Sequence, residues 1–271
     1  MSNTGEYTDI IKVGGAVLGI ENDAEQLVGV NEETFDSIGR EVSEDEVNSI
    51  AVVTSFAIGQ GMLKAGLAAR PDDSQVPELQ RFATIGQPLV QQRWAEAISK
   101  TTGEVLLTNQ EINNEQENAK RLAEILRTFE VLFRYGDVPV VNENDAITHE
   151  EITFGSNDLL ASELAQRMQH SGLFGQVRLF LLTDVNGVYA DKNDANTRIP
   201  VIENAAKYTH AAEGSDSRLS IGGMKSKLEA AIRARYTGIP TYIYNPADGS
   251  RERAVEGEIG TFFPAWAPRK D

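Results

Sequence analysis

TDIIKVGG, residues Thr8 to Gly15, is an apolar run rich in isoleucine and valine that ends on a lysine and two glycines. A buried parallel strand has this composition, because both of its faces are covered and no polar alternation is required. Ile50–Thr54 repeats the pattern, as do Val105–Thr108, Val138–Val141, Val177–Thr183 and Pro240–Tyr244. Between the runs the spacing turns helical. The stretch from the first run to Ile50 predicts helix plus loop, with the acidic Glu41–Glu46 as a solvated face or turn. Leu79, Phe82, Ala83, Leu89, Val90, Trp94 and Ile98 predict a helix from Pro77 to about Lys100, interrupted or kinked at Gly86–Pro88, with Trp94 in the core. Leu122, Ile125, Leu126, Phe129 and Leu132 mark one stripe of a helix from Glu115 to about Tyr135. Asn157–Gln169 and Met224–Tyr236 complete the helices. Strands alternating with helices imply an α/β protein with a mostly parallel sheet. In such sheets ligands bind at the carboxyl ends of the strands.

The composition narrows the function. Forty-one acidic against 25 basic residues give a formal charge of −16, which repels nucleic acid and anionic membrane alike. Only nine of the cations are lysines, consistent either with adaptation to high salt or with an acidic mesophilic protein. No cysteine is present, so disulfides, thiolate metal sites and a cysteine nucleophile are excluded. His149, His170 and His210 lack the spacing of a metal pair on one helix face. The apolar stretch Ile10–Ile20 is too short for a membrane span, no signal peptide is read, and a cytoplasmic location is expected.

Polar residues gather directly after the strands: Lys12, Gly14 and Gly15; Thr54 and Ser55; Asn142, Glu143, Asn144 and Asp145; Thr183, Asp184 and Asn186. One such group is ordinary turn chemistry, but four at equivalent ends of one sheet favour a shared site. Lys12 with Gly14 and Gly15 reads as an anion cradle or as a tight turn with a surface lysine. GGMKSK, Gly222 to Lys227, is a second glycine-rich anion candidate at the positive end of a helix. Neither GxxxxGK[ST] nor a completed GxGxxG occurs, and the HRD and DFG strings of protein kinases are missing, so any phosphate-handling enzyme here uses another scaffold.

The ordered strings IIKVGGAVL, VVTSFAIGQG, VLLTNQE, VPVVNENDAI, FGSNDLLASELA, LFLLTDVNGVY and GGMKSKLEAA span most of the chain from Ile10 to about Gly260. The set resembles the amino acid kinase family and, within it, the glutamate 5-kinases. The resemblance implies a three-layer sandwich around a central, mostly parallel sheet, the carbamate kinase-like fold. It implies an amino-acid-binding lobe over residues 1–170 and an ATP-binding lobe over 171–271, within one continuous kinase domain. The boundary falls near Gln169–Gly175, and the C-terminal PUA domain of many such kinases is not expected. The implied reaction moves the γ-phosphoryl group of ATP, with Mg²⁺, to the side-chain carboxylate of glutamate. By the family pattern Lys12 and Lys227 neutralise the transferring group and Asp158 holds them. Ser55, Asp145 and Asn157 stand at the glutamate site: Asp145 for the ammonium, Ser55 and Asn157 as donors to carboxylates. Lys12, Gly14, Gly15, Thr183, Asp184, Gly222, Gly223, Met224, Lys225, Ser226 and Lys227 stand at the ATP site. No protein ligand for the metal is implied, and a homo-oligomer is expected.

Three departures from the family pattern bear on the acceptor. Phe56 follows Ser55 where glycine is usual, Ala16 follows Gly15 where a hydroxyl is usual, and Ser156 replaces an acidic residue before Asn157. The phenyl ring either crowds the substrate or turns into the core, the latter being the preferred expectation. A different small acceptor, or a nucleotide-binding module without turnover, is the alternative.

Overall fold

The computed structural model describes residues 6–113, 115–148, 157–191, 193–203 and 223–266. Along these the strands are β1 (Tyr7–Val13), β2 (Gly19–Glu21), β3 (Leu27–Val30), β4 (Ser49–Val53), β5 (Thr102–Leu107), β6 (Val138–Glu143), β7 (Gln176–Leu182), β8 (Thr241–Tyr244) and β9 (Thr261–Phe263). The helices are α1 (Gly15–Leu18), α2 (Glu32–Glu44), α3 (Ala57–Lys64), α4 (Val76–Ala97), α5 (Asn109–Asn113), α6 (Glu115–Tyr135), α7 (Asn157–Ser171), α8 (Gly223–Tyr236) and α9 (Arg251–Val255). Seven strands form one sheet in the order β5-β6-β4-β1-β7-β8-β9. Every pairing is parallel except β8 with β9.

The layers follow from strand alternation, since successive side chains point to opposite faces. Ile10, Ala51, Val53, Val141, Leu179, Leu181 and Ile243 share one buried cluster with Leu126 and Phe129 of α6, Leu160 and Leu164 of α7 and Leu228 of α8. Their neighbours Ile11, Ile50, Val52, Val140, Phe180, Leu182 and Tyr244 share the other with Phe35 and Ile38 of α2, Val90 and Trp94 of α4 and Ala254 of α9. Helices therefore cover both faces, as the continuous apolar strands require. No helix among the described residues is long and apolar enough to cross a membrane.

Three local expectations change. Helix α4 runs unbroken through Gly86 and Pro88. Gly86 is there for contact: a Cβ on it would stand 1.8 Å from the Ala57 carbonyl of α3, so the glycine lets two helices touch and does not break one. The stretch Glu41–Glu46 is not simply a solvated face, because Glu41 and Asp45 are ion-paired to the buried Arg251 of α9. Finally β2 and β3 form an antiparallel hairpin between β1 and α2 where only helix and loop were expected. Trp94 is fully buried, as its stripe predicts.

Candidate active site

Strands β6, β4, β1, β7 and β8 are neighbours and end at one edge of the sheet. The four polar groups singled out in the sequence therefore lie along that edge. Lys12, next to last in β1, is buried, and its ammonium sits 2.8 Å from Asp158 Oδ1. Asp158 is the second residue of α7, where a carboxylate is favoured by the helix dipole. Its other oxygen accepts from Ser226 Oγ at 2.6 Å and from Lys227 Nζ at 3.2 Å, both in the first turns of α8. One fully buried carboxylate thus bridges two buried ammoniums and ties the amino ends of two helices to the central strand.

The electrostatics follow from that arrangement. Burial alone would raise the Asp158 carboxyl, but the charges of Lys12 and Lys227 and the bonds from Lys12 and Ser226 outweigh it and hold it well below the usual carboxylate range. Burial pushes Lys12 down to about 8; the Asp158 carboxylate opposes the drop and the Lys227 charge adds to it. The triad carries two positive charges against one negative, a surplus that a nearby anion would satisfy. Gly14, which caps α1, leaves that space clear, since a Cβ there would stand 3.3 Å from the Lys12 ammonium.

A second set of contacts adjoins the triad. Asn157, first in α7, places its amide nitrogen 2.9 Å from the Thr54 carbonyl, 3.0 Å from Ser55 Oγ and 2.9 Å from Asn142 Oδ1. A carbonyl only accepts, so the orientation of this amide is fixed and both its hydrogens are engaged. The atom it leaves open is Oδ1, buried and without a hydrogen-bond partner among the described residues. The Asn157 amide nitrogen, expected to donate to substrate carboxylates, here donates within the chain. Sequence reasoning missed the support behind it: Asn142 donates to Gln87 Oε1 at 2.6 Å, Gln87 donates to Glu104 at 2.8 Å, and Trp94 Nε1 donates to Thr54 Oγ1 at 2.8 Å. Gln87 sits beside Pro88, where the sequence read as a break, so no local signal marked it.

Asp145 follows β6 and lines a cleft of about 250 Å³ with Gln87, Glu104, Leu106, Glu143 and Asn144. Thr183 and Asp184 follow β7, where the Thr183 hydroxyl donates to Asp184 at 3.1 Å. Gly15 opens α1, and Gly223, Met224 and Lys225 open α8 with Lys225 exposed. Gly222, Ser156, His149 and His210 lie outside the described residues. Phe56 turns into the core as preferred: it is 8% exposed, and Gly19 and Gly59 leave room for its ring. Its backbone nonetheless keeps a left-handed conformation, φ 84°, which glycine adopts without strain.

Among solved structures the fold is similar to a UMP kinase from Bacillus anthracis (TM-score 0.58, 12% identity, 97% of this chain and 98% of that one). It is similar also to a Giardia carbamate kinase (TM-score 0.59, 15%, 97% and 99%) and an isopentenyl phosphate kinase from T. acidophilum (TM-score 0.60, 15%, 94% and 99%). At such identities the likeness establishes the fold. In sequence the chain is 36% identical to a glutamate 5-kinase of Thermus thermophilus over 269 residues, 94% of this chain and 67% of that protein. It is 34% identical to a glutamate 5-kinase of Myxococcus xanthus, over 89% of this chain and 63% of that protein. The chain thus spans about two thirds of the length of the curated relatives it matches. The profile of the amino acid kinase family matches residues 8–245, from the second residue of β1 to just past β8, and takes in both lysines and the aspartate between them. The chain belongs to the amino acid kinase family.

Proposed function

We propose that this chain is a glutamate 5-kinase, moving the γ-phosphoryl group of ATP to the γ-carboxylate of L-glutamate as the first step of proline biosynthesis. The observation that carries the mechanism is the buried Lys12–Asp158–Lys227 triad with its surplus positive charge. Phosphoryl transfer is catalysed mainly by positioning and by charge stabilisation, and two fixed ammoniums supply the second. A carboxylate oxygen of glutamate forms the new O–P bond while the bond from the γ-phosphorus to the bridging oxygen of ADP breaks. The electron pair leaves with ADP, and the product is an acyl phosphate. The acceptor is already ionised at neutral pH, so the step needs no general base.

In this reading Lys12 and Lys227 contact the transferring group from β1 and α8, and Asp158 orients both. Ser55 and Asp145 bind the amino acid, with Asn157 Oδ1 accepting from its ammonium. Gly14, Gly15, Thr183, Asp184 and the first turn of α8 hold the nucleotide. Magnesium would neutralise charge on the ATP phosphates. Asp158 is a poor ligand for it, with both oxygens engaged by ammoniums and a hydroxyl, and among the described residues no group of three His, Asp or Glu side chains forms a metal cage. In this reading the ion would arrive with the nucleotide, held largely by phosphates and water. A homo-oligomer, a cytoplasmic setting and the division into halves 1–170 and 171–271 belong to the same reading.

The turning of Phe56 into the core removes the main reason to expect a different acceptor. The test is ADP release with MgATP and, in turn, glutamate, N-acetylglutamate, aspartate, UMP and isopentenyl phosphate, at low and molar salt, with hydroxylamine to trap an acyl phosphate. Turnover and a trapped hydroxamate with glutamate are expected. Turnover with another acceptor in its place would sink the assignment.

A further inference from the structure

The face of α4 that packs on the sheet carries an amide among its apolar residues. Val90 and Trp94 share a buried cluster with Val140 of β6, and Gln87 stands one turn before Val90 on the same side of the helix. Gln87 bonds in two directions: its Oε1 accepts from Asn142 Nδ2 at 2.6 Å, and its Nε2 donates to Glu104 Oε1 at 2.8 Å. It reaches both because β5 and β6 pair in parallel, with Glu104 beside Val140 and Leu106 beside Asn142, so the Glu104 and Asn142 side chains rise from one face of the sheet.

The resulting row of amides has a single polarity. A carboxylate only accepts, so Glu104 fixes Gln87 with its nitrogen outward and its oxygen toward Asn142. Gln87 in turn fixes Asn142 with its oxygen toward the Asn157 nitrogen, 2.9 Å away. At the other end the Thr54 carbonyl, also an acceptor only, takes the second Asn157 hydrogen. Asn142 is the joint between the two anchors: it is 1% exposed, and turned over it would set its nitrogen against that of Asn157. Bonds in such a row reinforce one another, and a carboxylate at the receiving end makes each following oxygen a better acceptor. The last of these oxygens is Asn157 Oδ1, buried and without a hydrogen-bond partner among the described residues.

We infer that Gln87 is a positioning residue for the amino-acid acceptor: held by Glu104, it locks Asn142, and through it Asn157, so that Oδ1 is presented to the acceptor's ammonium. The inference rests on the kinase reading above and deepens it, carrying recognition of a free amine to two residues of α4 and β5 that lie outside the motifs behind the family resemblance.

The experiment compares wild type with two variants. Gln87→Met removes both bonds at nearly constant size. The swap Gln87→Glu/Glu104→Gln keeps the net charge and lets the new carboxylate accept from Asn142 and from the new amide. Gln87→Met should raise the KM for glutamate roughly tenfold, with kcat and the KM for ATP within about threefold of wild type. The swap should return the KM for glutamate to within about threefold of wild type. A wild-type KM in Gln87→Met would overturn the proposal, as would a raised KM that the swap fails to lower, the mark of packing alone. A second readout needs no turnover: the Asn157 amide hydrogen that faces Asn142, followed by NMR, should exchange with solvent about tenfold faster in Gln87→Met and return toward the wild-type rate in the swap. Equal rates in wild type and Gln87→Met would overturn the relay whatever the acceptor proves to be. If wild type does not phosphorylate glutamate, the glutamate reading falls by itself, and the exchange rates decide the relay on their own.

Discussion

Strand β1 carries a charge cluster at each end, and the two are built on opposite plans. Toward its carboxyl end Lys12 meets Asp158 and Lys227, two cations sharing one anion. Three residues earlier, roughly 10 Å back along the strand, Asp9 is fully buried between Arg178 of β7 and Arg251 of α9. Arg178 grips it with both forks, Nε and Nη2 each 2.7 Å from a carboxylate oxygen, and lies 4.0 Å over the Tyr7 ring. Arg251 reaches on to Glu41 and Asp45 of the α2 end, so three carboxylates surround two guanidiniums. Arginine's rigid fork suits a cluster that must keep one geometry, whereas lysine's point charge on a flexible stem suits one that must follow a moving group. The amino-end cluster pairs both of its cations within the chain and carries one negative charge in excess. The carboxyl-end cluster carries one positive charge in excess.

That contrast makes opposite substitutions separable. The largest effect is expected from Arg251→Met, which strips Asp9, Glu41 and Asp45 of a buried partner and should cost about 3–5 kcal/mol of stability. In a thermal melt this is a fall in Tm of roughly 6–15 °C. The kcat of the folded fraction should stay within about twofold of wild type, since Arg251 lies at the far end of the strands. Next come Lys12→Met and Lys227→Met, each expected to lower kcat about 10²–10³-fold, or about 2.7–4 kcal/mol of transition-state stabilisation, with Tm unchanged or raised. A Tm loss matching that of Arg251→Met would show that the lysines are structural after all.

The two clusters also differ in how far the sequence announced them. Each residue of the carboxyl-end site stands just after an apolar run or at a helix start, so strand endings at Val13, Val53, Glu143 and Leu182 brought Lys12, Ser55, Asp145 and Thr183 to one edge once the sheet was known to be parallel. Asp158 and Lys227 were placed by family resemblance, and the structure brings both to Lys12. The amino-end cluster joins Asp9 to Arg251 across 242 residues, and no local pattern links its members to one another. Glu41 and Asp45 looked like solvated acids because a pairing cation from a distant helix leaves no mark on local charge density. The β2–β3 hairpin was missed for another reason: with three and four residues, glycines and one exposed face, it lacks the apolar continuity that betrayed the buried strands. The break read at Gly86–Pro88 assigned to chain geometry what belongs to the α3–α4 contact.

Phe56 lies next to the carboxyl-end site yet belongs energetically to the core, and its replacement sharpens where the site stops. Phe56→Gly relieves a left-handed backbone, a gain of about 1–2 kcal/mol, but empties the space beside Gly19 and Gly59 at a cost of about 3–5 kcal/mol. Burial wins, and a net loss of roughly 2 kcal/mol is expected in denaturant titration. The KM for glutamate should change less than about threefold. A larger change in KM would return the ring to the substrate pocket.

The smallest effect expected is a pH dependence in which activity and stability move apart. Burial has brought Lys12 from 10.5 to about 8, so raising the pH through 8 removes one of the two cations before the enzyme meets ATP. The kcat/KM for ATP should fall about tenfold for each pH unit above that point, while kcat holds to higher pH because bound phosphate favours the charged lysine. Stability has the opposite sign. Between about 8 and 10.5 the unfolded chain binds the Lys12 proton and the folded chain does not, so this site adds to stability as pH rises across that window. Lys12→Met should abolish that increment along with the alkaline limb. If activity and the melting transition instead fell together above pH 8 in wild type, unfolding and not lysine ionisation would set the limb, and the proposed electrostatic role of Lys12 would lose its support.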